Sequence, residues 1–142
     1  MAEVYGLANK ILGVNLTHGS FDVIPTQRYS EKFVGGKGIA SRLYWEFIDK
    51  KTTAFNPDNH LFFMNGPLSG IRSTAASRCA IVAKSPLTFP EQYCCGNLGG
   101  YFGAALKWAG LDGLDIYGAA QSPVLLLIEA DGHCTIEDAI GL

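Results

Sequence analysis

One segment of the chain has the composition of a ligand-facing backbone: Gly96-Asn97-Leu98-Gly99-Gly100-Tyr101-Phe102-Gly103. Where such a segment opens a helix, free backbone N–H groups and the positive dipole end attract an anion, and glycine lets a phosphate approach closely. The same glycines also suit a tight turn and close helix packing, and spacing alone leaves both readings open. The pattern GxxGGxxG matches neither the phosphate loop of nucleotide hydrolases nor the dinucleotide fingerprint, and no Gly-Lys-Ser/Thr follows, so it argues against a nucleotide-binding regulator.

Arg78 stands just before an apolar stretch, and a guanidinium grips phosphate through two parallel hydrogen bonds where lysine offers only a point charge. A solvated residue at a strand end is the plainer reading. Lys37, in the turn Gly35-Gly36-Lys37-Gly38, and Lys84, in Lys84-Ser85-Pro86-Leu87, could add positive charge, although lysines in turns are usually just solvated. The cysteines at 79, 94, 95 and 134 form no CxxC pair and lack iron–sulfur spacing, so free thiols are expected. His18, His60 and His133 are scattered without zinc-ligand spacing and read as surface residues. Asp112 and Asp115 flank a glycine in LDGLD, which reads as a loop entering a strand rather than an acid–base pair. No GxSxG elbow is present. The chain thus shows binding features and no catalytic set.

The elements that must position these residues follow from periodicity. Residues 10–17 and 21–24 read as strands around the turn His18-Gly19-Ser20. Residues 25–34 read as a polar connection. The glycine turn at 35–38 feeds a helix over 39–48, with Ala40, Leu43, Tyr44 and Phe47 on one face. An apolar strand at 61–64 stops at Asn65-Gly66-Pro67, and a further strand covers 79–83. A loop then leads to the glycine segment and a second helix from Gly100 to Ala109, whose common face is Phe102, Ala105, Leu106 and Ala109 and whose stop is Gly110. Residues 114–117, 124–129 and 134–137 read as a closing meander, with Asp131-Gly132 as its last turn. The fold class is α+β, a mostly antiparallel sheet with two amphipathic helices.

With 142 residues, 48% of them apolar and 17% charged, the chain suits one compact domain, residues 1–142. A net charge of −2 gives no general attraction for nucleic acid or an anionic membrane. No apolar run approaches a membrane span and no leader opens the chain, so the cytoplasm is the default location.

The ordered blocks GVNLT, GGKG, NGPLSG, SRCAIVAKSPLT and GNLGGYFGAALKWAGLDGLDIYG resemble the N-terminal domain of tungsten-containing aldehyde ferredoxin oxidoreductases over nearly the whole chain. The resemblance implies a base for tungstopterin or molybdopterin, a bis-pterin cofactor whose phosphates are bridged by Mg. By motif it implies that Arg78 meets the phosphate region, that the backbone carbonyl of Asn97 meets Mg, and that Leu98, Gly99 and Gly100 contact the cofactor. It further implies an oxidoreductase whose electrons pass through a [4Fe-4S] cluster to ferredoxin, with the cluster and the acid–base residues in domains or subunits outside this chain. This chain alone is then inactive, and its partners are those remaining domains or subunits, with self-association left open. Cys94-Cys95-Gly96 and the Arg72–Ser77 stretch RSTAAS depart from the family's usual residues. The alternative is a non-catalytic binding or assembly module that uses the same glycine-rich surface.

Overall fold

The computed structural model describes residues 6–73 and 75–141. Residues 1–5, 74 and 142 lie outside the described residues; they include Thr74 of RSTAAS and the final residue of the expected domain. The strands are β1 (Ile11–Asn15), β2 (Ser20–Ile24), β3 (Leu61–Met64), β4 (Cys79–Ser85), β5 (Gln92–Leu98), β6 (Gly113–Tyr117), β7 (Val124–Ile128) and β8 (Cys134–Asp138). The helices are α1 (Gln27–Phe33), α2 (Gly36–Phe47) and α3 (Phe102–Trp108). Six strands form one sheet in the order β2-β1-β6-β3-β4-β5. Its neighbours are antiparallel except β1 and β6, which run parallel. The α+β expectation therefore holds, with three helices rather than two.

Side chains alternate between the two faces of this sheet, and both faces are covered, which is why four consecutive residues of β1 are buried. On one face Ile11, Phe62, Met64 and Val82 pack against Ile39, Ala40 and Leu43 of α2 and Tyr29 of α1. On the other, Leu12, Val14 and Leu114 pack against Leu106 of α3 and Cys134 of β8.

Four differences from the sequence expectations have physical causes. The connection at 25–34 contains α1, a seven-residue helix that buries only Tyr29 and so shows no apolar period. It ends at Val34, whose φ of 61° and ψ of −62°, with Gly35 N–H donating to Phe33 O at 2.6 Å, make a γ-turn that is strained for a β-branched residue. The segment 92–98, read as loop and glycine turn, is the edge strand β5, paired only with β4. Its mostly exposed side chains remove the alternation that marks a half-buried strand. The closing meander is only a hairpin: β7 pairs with β8, while β6 lies between β1 and β3. Finally, α3 turns Gly103, Ala104 and Leu106 inward, leaving Phe102 and Ala105 to line a cleft of about 300 Å³ against Leu126 and Leu127.

The expected stop at Gly110 is made as expected. Gly110 has φ +78°, its N–H donates to Lys107 O, and Leu111 N–H donates to Leu106 O, a Schellman closure that satisfies the last helical carbonyls.

Candidate functional site

The β4–β5 ladder pairs Ala80 with Asn97 and Cys79 with Leu98. One step beyond that pairing the two strands deliver Arg78 and Gly99 to the same end of the hairpin. Gly99, Gly100 and Tyr101 then turn the chain into α3. The structure thus brings together Arg78, Asn97, Leu98, Gly99 and Gly100, all exposed except the half-buried Leu98. Among the described residues Arg78 makes no ion pair. Burial pushes the neighbouring Cys79 thiol up to about 11, so it stays protonated at neutral pH.

The glycines of this segment divide by what the fold asks of them. Gly100 has φ +78°, a conformation that favours glycine. At Gly103 a Cβ would lie 2.5 Å from Ser77 O and 2.8 Å from Asn65 Oδ1, so close packing excludes any side chain. Gly96 and Gly99 have neither requirement: their φ values are not positive, and a Cβ there would meet nothing within 4 Å. The bare backbone of Gly99 faces open space where β5 ends across from Arg78, that of Gly96 lies further along β5 across from Ile81, and tight turning or helix packing accounts for neither.

Beneath the turn, Asn65 joins three segments. Its backbone N–H donates to Asp112 O at 2.9 Å, its carbonyl accepts from Gly36 N–H at 2.8 Å, and its Nδ2 donates to Gly103 O at 2.8 Å. The start of α2, with exposed Lys37, is thereby tied to the start of α3. Asn65 is only 1% exposed, and its Oδ1 has no partner among the described residues, an uncommon state for a buried acceptor. In the sequence this residue marked only the end of a strand; nothing in its neighbours points to Gly103, 38 positions away.

Asp112 anchors the other end of α3. It is fully buried, pairs with Lys107, and accepts from Thr26 Oγ1 at 2.7 Å and Ala8 N–H at 3.0 Å. These donors compensate a charge that would otherwise be costly to bury. Trp108 Nε1–H donates to Gly70 O at 2.9 Å and Gly70 N–H to Ala76 O at 2.8 Å, which folds the 70–76 loop back on α3. Tyr101, Trp108, Leu68 and Ile71 are exposed, an apolar rim along α3 and the residues about Gly70 that Trp108 holds.

Lys84 does not reach the site. It lies at the far end of β4, 8% exposed, with its ammonium donating to Thr52 O at 2.6 Å, Lys50 O at 3.1 Å and Asp49 O at 3.5 Å. All three protons are used to close the chain after α2. The expected free thiols are observed at all four cysteines, and His18 and His133 are exposed. His60 is not the surface residue expected: its Nδ1 lies 2.7 Å from Asp115 Oδ1, 55 residues away, a pairing set by strand register and invisible as a spacing. No helix among the described residues is long and apolar enough to cross a membrane.

Comparison with known proteins agrees with this architecture. Residues 11–142 match the family described as aldehyde ferredoxin oxidoreductase, N-terminal domain. The chain is 38% identical over 137 residues to a tungsten-containing aldehyde ferredoxin oxidoreductase of Pyrococcus abyssi, spanning 96% of this chain and 22% of that protein. It is 33% identical over 133 residues to the aliphatic sulfonate oxidoreductase, WOR-like subunit, of Pyrococcus furiosus, spanning 90% of this chain and 20% of that protein. Among solved structures, a chain of the active-site complex BamBC of benzoyl coenzyme A reductase, in complex with 1,5 dienoyl-CoA, superposes with a TM-score of 0.89 at 31% identity, covering 95% of this chain and 20% of the other. The fold and the matched blocks define a domain class found in oxidoreductases. This chain belongs to the aldehyde ferredoxin oxidoreductase N-terminal domain family, and it spans about a fifth of the length of these relatives.

Proposed function

We propose that residues 1–142 form one domain that carries a tungsten or molybdenum bis-pterin cofactor within an aldehyde ferredoxin oxidoreductase-type enzyme. The observation that carries the reading is the bare backbone of Gly99, open to solvent and required by no feature of the fold, at the strand end it shares with the exposed Arg78. A flat, phosphate-bearing ligand needs such a surface: glycines for close approach and a guanidinium for bidentate contact. The donor set fits the group.

In this reading Arg78 binds the phosphate region, Gly99 and Gly100 present backbone N–H groups with no side chain in the way, and Leu98 supplies the apolar floor. The Asn97 backbone carbonyl is the oxygen ligand for Mg, which favours hard oxygen donors. Asn65 holds the turn from below through Gly103. When bound, the cofactor supplies the redox chemistry, and the chain supplies orientation and electrostatics. Catalytic acid–base groups, the [4Fe-4S] cluster and the contact with ferredoxin are assigned to domains or subunits outside these residues. The apolar rim of Leu68, Ile71, Tyr101 and Trp108 gives those parts a surface to cover. A cytoplasmic location goes with this reading.

The test is metal and pterin content of the enzyme carrying this chain, expressed with tungstate or molybdate. One bis-pterin metal centre per chain is expected, and Arg78→Ala should deplete it while leaving the thermal transition in place. A protein free of tungsten, molybdenum and pterin, or an Arg78→Ala variant with full cofactor content, overturns the assignment.

A further inference from the structure

At the opposite end of the strands from the glycine turn, register builds a second site. Gly13 of β1 pairs with Asp22 of β2 on one side and with Asp115 of β6 on the other, so the two carboxylates share one face of the sheet with only a glycine between them. A Cβ on Gly13 would collide with Asp22 Oδ1, which shows that the Asp22 carboxylate leans over the glycine. Gly13 is therefore required by a carboxylate and not by a turn.

Asp115 is held against His60, whose Nδ1–H donates to Oδ1 at 2.7 Å. The His60 ring is fixed by stacking on Tyr117, 4.6 Å between centroids at 18°, and by Phe47 at 5.4 Å and Phe62 at 5.6 Å. The Asp115 side chain is 2% exposed and that of His60 14%. Both line an open cleft of about 420 Å³, together with Asp22, Glu46, Phe47 and Tyr117. Asp115 accepts the His60 bond at Oδ1, and its carboxylate is more than nine-tenths buried at the wall of the cleft.

The polarity of this cleft selects the ligand. His60 spends Nδ1 on Asp115, which leaves Nε2 as its other polar atom. Asp22 and Asp115 are acceptors, and Glu46 is engaged by Arg28 at 3.0 Å, Tyr29 Oη at 3.2 Å and Arg42 at 3.4 Å. The Tyr117 hydroxyl is directed to Asp22 at 3.5 Å. The free charged groups of the cleft are thus carboxylates, set against aromatic walls. Among the described residues no three His, Cys, Asp or Glu side chains converge on a metal position, so the arrangement does not suit a bare divalent ion. A donor-rich, positively charged organic group matches every feature: it gives N–H donors to the carboxylates and a cation to the rings. We infer that the cleft between Asp22, His60, Asp115 and Tyr117 is a binding site for a small organic cation of the guanidinium or alkylammonium class. This site is independent of the cofactor reading, which its failure would leave untouched.

The experiment titrates the full chain with agmatine, with guanidinium chloride at matched ionic strength, and with urea as the neutral isostere of guanidinium. NMR follows the His60 ring and the Asp22 and Asp115 amides. Saturable shifts are expected at these three residues with agmatine and guanidinium and none with urea. Asp22→Asn, an exposed substitution compatible with folding, should weaken agmatine about tenfold, the loss of one charge-assisted contact. The exposed control Asp138→Asn should change nothing. An absent or non-saturable response, an equal response to urea, or an unchanged affinity in Asp22→Asn overturns the inference.

Discussion

Alanine placed at Gly103 and at Gly99, four residues apart, should produce opposite defects. At Gly103 the new Cβ would meet Ser77 O at 2.5 Å and Asn65 Oδ1 at 2.8 Å, both below any ordinary contact. One of these is backbone and the other a fully buried side chain, so relief requires α3 to move off the sheet. Overpacking of this kind costs about 1–3 kcal/mol. The same movement strains the Asn65 Nδ2 to Gly103 O bond of 2.8 Å, worth about 0.5–1.5 kcal/mol net. A total of about 2–4 kcal/mol corresponds to a fall in Tm of roughly 5–15 °C for a chain of this size. At Gly99 the Cβ meets nothing within 4 Å and φ is not positive, so alanine should change stability by only about 0.5 kcal/mol or less. If a cofactor lies on that backbone, however, the added methyl intrudes on it. Thermal or urea denaturation of both variants, alongside metal and pterin content of the assembled enzyme, separates the effects. A Gly103→Ala protein as stable as the parent refutes the packing account, and a Gly99→Ala protein with full cofactor content refutes the ligand-facing role of the bare backbone.

Other consequences can be measured on the same preparations. Asp112→Asn removes the carboxylate that compensates Lys107 and should cost about 3–5 kcal/mol, read as a shift in urea midpoint at constant m; a change under 1 kcal/mol would show that Asp112 is no anchor. Lys84→Met leaves three carbonyls after α2 without their donor and should cost about 1.5–3 kcal/mol while leaving cofactor content unchanged, because the residue lies far from the turn. Burial holds Asp115 above its ordinary carboxyl value of 3.8, opposed by the hydrogen bond from His60. The unfolded chain therefore loses its proton first, and the contribution of Asp115 to stability is fully present below pH 3.8 and declines as pH rises through the raised value. Asp115→Asn should remove that decline, so the difference in unfolding free energy between the variant and the parent should change with pH only above pH 3.8, and a pH-independent difference would contradict it.

Much of the fold was legible because local pattern and tertiary demand agree. The runs read as strands at 10–17, 61–64 and 79–83 contain β1, β3 and all of β4 but Lys84 and Ser85, which extend that strand where a turn was expected, and Gly110 stops α3 with the conformation that its residue type favours. The elements that escaped detection lack that agreement. α1 buries one side chain, and β5 is an exposed edge whose residues alternate in nothing. At the site, the order of the motif blocks marked Arg78 and the glycine segment through the family resemblance, since on residue types alone a solvated arginine and glycines that turn or pack are the plainer readings. The sequence could not separate Gly103, which is packed against Ser77, from Gly99, which is open. That distinction depends on what lies opposite each Cα. Nor could it pair His60 with Asp115 or seat Asn65 beneath Gly103, since those contacts join segments 55 and 38 residues apart. Composition and periodicity thus marked most of the elements, and the order of the motif blocks marked the residues proposed for binding. Strand order and register decided which of them meet, because a contact across a sheet is set by pairing geometry and leaves no trace in the spacing of either strand.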